Sequence, residues 1–270
     1  MDIGSVIMKK RKEKGITQAA LAEKLNVSYQ AVSKWEQSTA CPEISLLPAL
    51  SEILETSIDS LFGYKSPLMS DYEERYQAED FYWGLEPNGL CYEIMKLKPP
   101  VKPIKVLDIG CGEGKDAIFL ARNGYSVSAF DMAENGLEKG KSLAKQLGVN
   151  VDFFRADIMD YHLHDSYDVI FSSGVFHFIK PDFRSKITEN IKEHTNKSGL
   201  CVINVFVDKP FIETPPDKTD GEDRFRWKSG ELFMHFHKWY FHKLEEVVFD
   251  CNSGGIPHKH CMDIMIAEKS

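Results

Sequence analysis

Three glycines at alternate positions, Gly110, Gly112 and Gly114, constrain this chain more than any other feature of its sequence. They follow an apolar run that carries Asp108, and a helix-forming segment, 116–122, comes directly after them. A strand, a glycine-rich loop and a helix in this order form the first turn of a nucleotide-binding α/β sheet. The sequence therefore predicts a doubly wound sheet with a ligand site at the carboxyl end of its first strand.

The spacing of these glycines argues against the common phosphate-binding loops. A P-loop needs Gly-Lys-Ser/Thr, and a dinucleotide fingerprint spaces its glycines G-x-G-x-x-G to seat a pyrophosphate on a helix N-terminus. Here the spacing is G-x-G-x-G, with acids at Asp108 and Glu113. An acidic loop repels a pyrophosphate and suits a ligand with a cationic sulfonium and an amino-acid end. A Rossmann relative that binds another nucleotide is the alternative.

The segment D-I-G-C-G-x-G, residues 108–114, resembles motif I of the S-adenosyl-L-methionine-dependent methyltransferases of the doubly wound class. The resemblance continues at the ends of three further predicted strands, 127–130, 151–155 and 167–172. It implies that Asp131 accepts both ribose hydroxyls and that Asp157 faces the adenine amino group. It implies S-adenosyl-L-methionine as cofactor, with these binding residues: Asp108, Gly110, Cys111, Gly112, Asp131, Met132, Asp157, Ile158, Ser173 and Trp83.

Composition bounds the class of protein. The 270 residues suit two domains, and 43% hydrophobic residues suit a globular core. A net charge of −8 gives no overall electrostatic drive towards nucleic acid. The sequence shows neither a signal peptide nor an apolar run of membrane length, so we expect a cytoplasmic protein without a membrane partner. Six scattered cysteines without a Cys-x-x-Cys pair predict reduced thiols.

The first 62 residues read as short helices without a strand. Thr17 is the predicted N-cap of a helix through Lys24, Ser28 caps a second helix to about Glu36, and a third is expected over 43–55. The segment at 16–37, I-T-Q-A-A-L-A-E-K-L-N-V-S-Y-Q-A-V-S-K-W-E-Q, resembles the Cro/cI-type helix-turn-helix family. The expected division is therefore a helix-turn-helix domain at 1–62, a linker at 63–71 and a methyltransferase domain at 72–270.

The helix-turn-helix resemblance implies operator DNA as a partner. In such units the second helix enters the major groove through its N-terminal residues. Gln30 could then read adenine in bidentate fashion, and Gln18 would contact a phosphate. One module binds weakly, so we expect a homodimer on a two-fold operator; a protein-interaction or dimerisation role is the alternative. The candidate DNA-binding residues are Gln18, Ser28, Tyr29, Gln30, Ser33 and Lys34.

The sequence after the fourth predicted strand argues against DNA methylation. Residues 172–177 read S-S-G-V-F-H, whereas amino-methylating enzymes carry Asp/Asn-Pro-Pro-Tyr/Phe there and cytosine C5 enzymes need Pro-Cys. The segments F-Y-W-G-L-E-P-N at 81–88 and F-R-W-K-S-G-E-L at 225–232, with a late His-x-His, resemble the tellurite-resistance/thiopurine-like methyltransferases over residues 72–269. The chain departs from that group in loop 209–224, which we expect to cover the acceptor.

This second resemblance implies a small, soft methyl acceptor such as tellurite, another metalloid oxyanion or a thiol. The candidate catalytic residues are His177, Arg226, His258 and His260, and we expect the last two to lie just before the last strand. His258 and His260 with His235, His237 and Cys261 raise the alternative of a metal site, but we expect no metal. The other alternative for the whole chain is a transcription factor whose methyltransferase-like domain only senses S-adenosylmethionine or a xenobiotic.

Overall fold

The computed structural model describes residues 3–54, 56, 58–62, 72–212, 225–251 and 257–270. The chain divides into two compact units, Met1–Met69 and Ser70–Ser270. The predicted linker 63–71 and residues 213–224 of the predicted acceptor loop lie outside the described residues. No helix in the described ranges is long and apolar enough to cross a bilayer.

The described part of the N-terminal unit is helical. The predicted third helix is divided there into a 3₁₀ turn and a short α-helix, because Pro48 cannot donate a backbone hydrogen bond and stands in the first turn of the second piece. Glu55, its predicted last residue, lies outside the described residues. The elements are α1 (Ile3–Glu13), α2 (Gln18–Lys24), α3 (Tyr29–Glu36), the 3₁₀ turn (Ile44–Leu46), α4 (Leu47–Ile53) and α5 (Ile58–Leu61).

Local capping explains where α2 and α3 begin. The hydroxyl of Thr17 accepts a hydrogen bond from Ala20 N at 3.1 Å, and the hydroxyl of Ser28 accepts one from Ala31 N at 3.2 Å. Both predicted N-caps are therefore confirmed. The apolar residues of α2 and α3 form a single core together with those of α1, α4 and α5; its members without exposed surface are Ile7, Leu21, Val32, Leu50 and Leu61.

The C-terminal unit is a seven-stranded sheet with the strand order β3-β2-β1-β4-β5-β7-β6. The first five strands are parallel, whereas β7 runs antiparallel to both of its neighbours. The predicted fold class, an all-α helix-turn-helix unit followed by a doubly wound seven-stranded sheet, is confirmed. The strands are β1 (Lys105–Ile109), β2 (Ser126–Asp131), β3 (Val151–Arg155), β4 (Tyr167–Ser173), β5 (Thr195–Val207), β6 (Tyr240–Cys251) and β7 (His258–Glu268).

Helices cover both faces of this sheet. They are α6 (Tyr72–Arg75), α7 (Gly89–Leu97), α8 (Lys115–Arg122), α9 (Glu134–Gln146), α10 (Pro181–His194) and α11 (Glu231–His235). One buried cluster joins α7 and α8 to the sheet, and a second joins α10 and α11 to its other face. From β1 the chain builds outward through β2 and β3 on one side and through β4 and β5 on the other. The ends of β1 and β4 are therefore the switch point at which α/β sheets bind ligands.

Candidate functional site

The glycine loop after β1 has a left-handed backbone that favours glycine. Gly110, Gly112 and Gly114 have φ angles of +70°, +55° and +79°. A Cβ at Gly110 would lie 2.3 Å from Val175 Cγ2, and one at Gly112 would lie 2.7 Å from the Tyr76 hydroxyl. The alternate spacing in the sequence thus reflects both a left-handed backbone and the close approach of two side chains.

Asp131, the last residue of β2, holds this loop in place. One carboxylate oxygen accepts a hydrogen bond from Gly112 N at 2.8 Å, and the other accepts one from Ala133 N at 2.9 Å. Burial raises the pKa of Asp131, and these backbone N–H groups offset part of that shift. Each oxygen keeps a second lone pair, so the carboxylate can still accept from a ligand.

Asp108 is a buried carboxyl group below the loop. It is 2% exposed, and its Oδ2 atom has no hydrogen-bond partner within the described part of the chain. Burial, followed by the charge of Asp116, raises the pKa of Asp108 well above its usual value. Burial and the charge of Asp108 also raise the pKa of the Cys111 thiol, so this thiol stays protonated at neutral pH. Cys111 is thus unsuited to nucleophilic attack.

Glu113 does not contribute negative charge to the loop. It is 3% exposed, and its carboxylate accepts a hydrogen bond from Lys139 Nζ at 2.6 Å. Its other oxygen accepts one from Trp83 N at 3.4 Å. The expectation that Glu113 makes the loop acidic towards a ligand is wrong, because Lys139 neutralises it. Among the described residues, no such ion pair neutralises Asp108, Asp131 or Asp157.

The end of β3 supplies the next predicted group. Asp157 Oδ1 accepts a hydrogen bond from Met159 N at 2.8 Å, which fixes the turn after the strand. Burial raises the pKa of Asp157. Ile158 packs against the hydrophobic core, and the carbonyl of Met132 accepts a hydrogen bond from Arg155 Nε at 3.1 Å. The ends of β1, β2 and β3 thus line one edge of the sheet, as the sequence predicted.

Ser173 belongs to a polar network that the sequence analysis missed. It is the last residue of β4, and its hydroxyl accepts hydrogen bonds from Asn88 Nδ2 at 2.9 Å and Asn204 Nδ2 at 3.0 Å. Asn204 Oδ1 in turn accepts from Gly174 N at 2.7 Å, while Asn88 Oδ1 accepts from Leu90 N and caps α7. A lone asparagine inside the apolar run of β5 was the signal available in the sequence.

An aromatic cluster lies against the glycine loop. Tyr72 stacks on Tyr76 with centroids 5.5 Å apart and has a T-shaped contact with Phe178 at 6.3 Å. Trp83, predicted to cover the donor, is 47% exposed, and its Nε1 donates to the Tyr76 hydroxyl at 3.2 Å. Tyr82 completes the cluster at 4.8 Å from Trp83. Tyr72 and Tyr76 were not predicted, because they lie on and just after α6, a single short turn without a motif of its own.

Of the predicted catalytic histidines, His177 follows β4, and His258 and His260 lie at the start of β7. His177 is 1% exposed, and its ring lies 4.7 Å from that of Phe206, which is 4.6 Å from His260. His258 Nε2 and His260 Nε2 lie 2.8 Å apart. The expectation that these two residues precede the last strand is wrong, because β7 begins at His258. Phe206 brings His177 and His260 into one group.

Arg226 stands on a segment that is pinned to the same region. Phe225 N donates to the carbonyl of His177 at 2.6 Å, and Trp227 Nε1 donates to the carbonyl of Phe176 at 2.8 Å. Arg184 on α10, 4% exposed and missed from the sequence, donates to the Phe225 carbonyl at 2.6 Å and to Arg226 O at 3.2 Å. These bonds bring the Arg226 backbone close to that of His177.

The other members of the histidine and cysteine set considered for a metal lie elsewhere. His235 Nδ1 is 3.2 Å from Thr188 Oγ1, and His237 Nδ1 is 2.7 Å from the carbonyl of Met234. Cys261 is buried in the hydrophobic core. The partner that the structure brings to His258 and His260 is instead Cys251.

The predicted DNA-binding residues divide into two groups. Tyr29, Gln30 and Lys34 on α3 are exposed, as is Ser28, whose hydroxyl also caps the helix. Ser33 is half-buried, and its hydroxyl accepts from Gln37 Nε2 at 3.4 Å. Ser28, Tyr29 and Gln30 stand at the N-terminal end of α3, where a recognition helix reads bases, and Lys34 lies in its last turn.

Gln18 takes part in an internal network. Its amide donates to Glu36 at 2.7 Å, and Glu36 also accepts two hydrogen bonds from Arg11, at 2.6 and 2.8 Å. Burial raises the pKa of Glu36, but the hydrogen bonds from Arg11 and Gln18 outweigh it, so the pKa lies below its usual value. The network orients the Gln18 side chain at the start of α2.

Comparisons with known proteins decide the family. Residues 77–254, more than half of the chain, match the family model described as tellurite resistance protein TehB. The chain belongs to the TehB family. Residues 7–61 match the model described as helix-turn-helix, so both resemblances seen in the sequence are confirmed.

Among curated proteins, this TehB-family chain is 29% identical over 146 residues to the probable S-adenosyl-L-methionine-dependent methyltransferase TehB of Haemophilus influenzae, covering 54% of this chain and 49% of that protein. It is 31% identical over 150 residues to hemagglutinin 1 of Eikenella corrodens, covering 55% and 48%. The chain thus spans about half the length of the curated relatives it matches.

Solved structures agree on the fold. The crystal structure of TehB from Haemophilus influenzae aligns with a TM-score of 0.61 and 25% identity, over 74% of this chain and 66% of that chain. Magnesium protoporphyrin IX methyltransferase from Synechocystis, solved with bound SAH, aligns with a TM-score of 0.53 over 94% of this chain and 100% of that chain. At 12% identity, this second likeness shows the fold alone.

Proposed function

We propose that the C-terminal unit binds S-adenosylmethionine in the crevice at the carboxyl ends of β1 to β4 and transfers its methyl group to a small, soft acceptor. The observation that carries this proposal is the clamp between Asp131 and the glycine loop. Asp131 Oδ2 accepts from Gly112 N at 2.8 Å, and the absence of side chains at Gly110 and Gly112 lets Val175 and Tyr76 approach the loop backbone closely.

The acids of the crevice fit the polar ends of this cofactor. Asp131 has lone pairs left for two ribose hydroxyls, and Asp157 has a second carboxylate oxygen for the adenine amino group. The buried Oδ2 of Asp108 needs a donor, and the ammonium of the amino-acid end would supply one. A cation there would also favour the ionised form of Asp108 and so lower its pKa.

The aromatic cluster fits the sulfonium. Cations bind over the faces of Tyr, Trp and Phe with about 0.5–2 kcal/mol each. Tyr72, Tyr76, Trp83 and Phe178 lie together beside the glycine loop, and Tyr76 is almost fully buried. S-adenosylmethionine, when bound, supplies an electrophilic methyl group on sulfur. The cluster would hold that sulfur in place and exclude water from it.

The acceptor side calls for orientation more than for acid–base chemistry. Thiolates and metalloid oxyanions already carry a reactive lone pair near neutral pH, and orientation alone can lower a barrier by about 7–11 kcal/mol. Of the predicted residues, Arg226 would pair with an anionic acceptor and His177 would border it. His258 and His260 lie beyond Phe206, so we place them at the outer limit of the acceptor region.

The test is release of S-adenosylhomocysteine. Purified protein is incubated with S-adenosylmethionine and, in separate reactions, with tellurite, selenite, arsenite or an aromatic thiol. Release that depends on one of these acceptors establishes the enzyme and its substrate class. Cofactor binding without release from any acceptor would instead favour the sensing transcription factor, in which the crevice serves only to detect S-adenosylmethionine or a xenobiotic.

We further propose that the N-terminal unit binds operator DNA as a homodimer. The exposed side chains of Tyr29, Gln30 and Lys34 on a correctly capped recognition helix support this. Selection from a pool of randomised duplexes should enrich a two-fold symmetric sequence. Gln30→Ala should then lose about 1–3 kcal/mol of discrimination at one base of each half-site. If the selection enriches no particular sequence, the result would favour a protein-interaction role.

A further inference from the structure

The ends of β6 and β7 bring three metal-binding side chains together. Cys251 ends β6, and His258 and His260 begin β7. Their candidate ligand atoms all lie within 4.8 Å of one another. We propose that these three residues form a binding site for a thiophilic divalent cation of the zinc class, distinct from the cofactor-binding acids Asp131 and Asp157.

The strand register explains why the three side chains meet. β6 and β7 pair antiparallel, with Cys251 opposite His258 and Phe249 opposite His260. Directly opposed residues on neighbouring strands point to the same face, and so do residues two apart along one strand. Cys251, His258 and His260 therefore share one face of the sheet by virtue of the backbone alone.

The distances are close to those of a tetrahedral site. With Zn–S near 2.3 Å and Zn–N near 2.05 Å, neighbouring ligand atoms in a tetrahedron lie about 3.3–3.6 Å apart. His258 Nε2 and His260 Nε2 are 2.8 Å apart, so they would separate by roughly half an ångström to admit the ion. In that hydrogen bond one ring nitrogen donates its proton and the other accepts it with its lone pair. The lone pair of the accepting nitrogen therefore already points towards the neighbouring ligand atom.

The ligand set selects the class of metal. One thiolate and two imidazoles suit Zn²⁺ and Co²⁺, whereas Mg²⁺ and Ca²⁺ prefer oxygen ligands. Three protein ligands leave a fourth position of a tetrahedron for water or another small ligand. His260 is 3% exposed, and Cys251 and His258 are half-buried, so the ion would be partly shielded from solvent yet reachable.

The site lies at the carboxyl edge of the sheet. β7 runs antiparallel to β5, and Val207 at the end of β5 pairs with Cys261 near the start of β7. The ring of His260 contacts Phe206, which contacts His177. A cation bound there would stand on the β5–β7 side of the crevice, on the opposite flank from Asp131 and Asp157.

Cobalt is the probe for this site, because its spectrum reports both the geometry and the ligand. Chelator-treated full-length protein is titrated with Co²⁺ under reducing conditions. We expect one Co²⁺ per chain, with a thiolate-to-metal charge-transfer band and the intense visible bands of tetrahedral coordination. Zn²⁺ should then displace the cobalt and bleach these bands. A spectrum typical of octahedral cobalt, without the thiolate band, would overturn the proposal.

Matched variants assign the ligands. Cys251→Ser and His258→Gln should each weaken Co²⁺ binding by more than about 100-fold, since loss of even an outer-shell partner costs 10–100-fold. Cys41→Ser and His237→Gln alter an exposed cysteine and an exposed histidine outside the cluster and should bind as the wild type does. Cys251→Ser binding cobalt with an unchanged thiolate band would overturn the assignment.

A second measurement needs no variant. Alkylation of the wild-type protein is followed by mass spectrometry at individual cysteines, with and without Zn²⁺. Zn²⁺ should slow the modification of Cys251 at least about 10-fold, because a metal-bound thiolate is a weaker nucleophile, and should leave exposed Cys41 unaffected. Equal rates at Cys251 with and without Zn²⁺ would contradict the site. Neither the cobalt spectrum nor the alkylation rate depends on methyl transfer. The metal site can therefore be tested even if the proposed enzyme activity fails.

Discussion

Asn88 donates a hydrogen bond from its side-chain amide to the hydroxyl of Ser173 at 2.9 Å, across 85 residues of sequence. The bond joins the segment before the glycine motif to the end of β4. Asn204 donates to the same hydroxyl from β5, at 3.0 Å. The cofactor edge of the sheet is therefore held by side chains as well as by strand pairing, and Ser173 stands at the centre of that arrangement.

Asn204 should be important for the stability of this edge. Asn204→Ala removes the donor to Ser173 and the acceptor for Gly174 N, and it leaves that N–H without its protein partner. We expect a loss of about 1–3 kcal/mol in the free energy of unfolding, measured in urea. Asn150→Ala, at an exposed position, should change it by less than about 0.5 kcal/mol. Equal stability of the two variants would contradict the importance of the network.

Gly110→Ala should destabilise the protein through one identified contact. The new Cβ would lie 2.3 Å from Val175 Cγ2, at a φ of +70°. We expect about 2–4 kcal/mol of destabilisation, from strain of the left-handed backbone and from overpacking. Val175→Ala in the same chain removes both methyl groups but keeps the Cβ, 3.1 Å away, so it should relieve most of the overpacking and leave the backbone strain. A double-mutant cycle in urea that shows no coupling between the two positions would contradict this reading.

Asp263 should make stability depend on pH. It is fully buried, it accepts from Gly230 N at 2.8 Å, and burial raises its pKa from 3.8 to about 6. Because the folded chain holds this proton more tightly than the unfolded chain, its contribution to stability is present below about pH 4 and is lost as the pH rises through about 6. Glu246 adds to the upward shift, and Lys209 opposes it.

Asp263→Asn tests this dependence. The amide keeps an acceptor for Gly230 N but does not titrate. Between about pH 4 and about pH 7 the stability of the wild type should fall relative to that of the variant by up to about 3 kcal/mol. The pKa of Glu246 is lowered mainly by hydrogen bonds from Lys209 and Ser229, and both of these partners remain in the variant. Parallel pH profiles from urea unfolding would contradict the prediction.

Arg11 should be essential to the N-terminal unit. Arg11→Met leaves the carboxylate of Glu36, 8% exposed, without its two strongest hydrogen bonds. Breaking a buried ion pair from one side costs about 3–5 kcal/mol. Lys12→Met changes an exposed neighbour and serves as the control. In thermal unfolding, the transition temperature of this unit should fall in the Arg11 variant but not in the Lys12 variant. Adding Glu36→Gln to the Arg11 variant should restore much of the lost stability.

The sequence predicts the parts of this protein that follow from local rules. Thr17 and Ser28 are caps, and the glycines at 110, 112 and 114 mark the loop after the first strand. Parallel strands end at a common edge, so Asp131 and Asp157 could be placed on it from strand order alone.

The missed features depend on side-chain contacts between distant segments. Lys139 neutralises Glu113 from α9, and Arg184 reaches the backbone of Phe225 from α10. Cys251 meets His258 only because of the register of β6 against β7. No sequence spacing predicts these pairings, because the partners belong to different elements and meet only in the folded chain.

Calorimetric titration with S-adenosylmethionine tests the central claim most directly. We expect the wild type to bind one molecule per chain and Asp131→Ala to bind more weakly by about 1.5–3 kcal/mol, because a charged acceptor for hydrogen bonds is lost. Asp152→Ala, at an exposed position on β3, should bind like the wild type. Equal affinity in the wild type and Asp131→Ala, or no binding to the wild type at all, would contradict the assignment of the crevice.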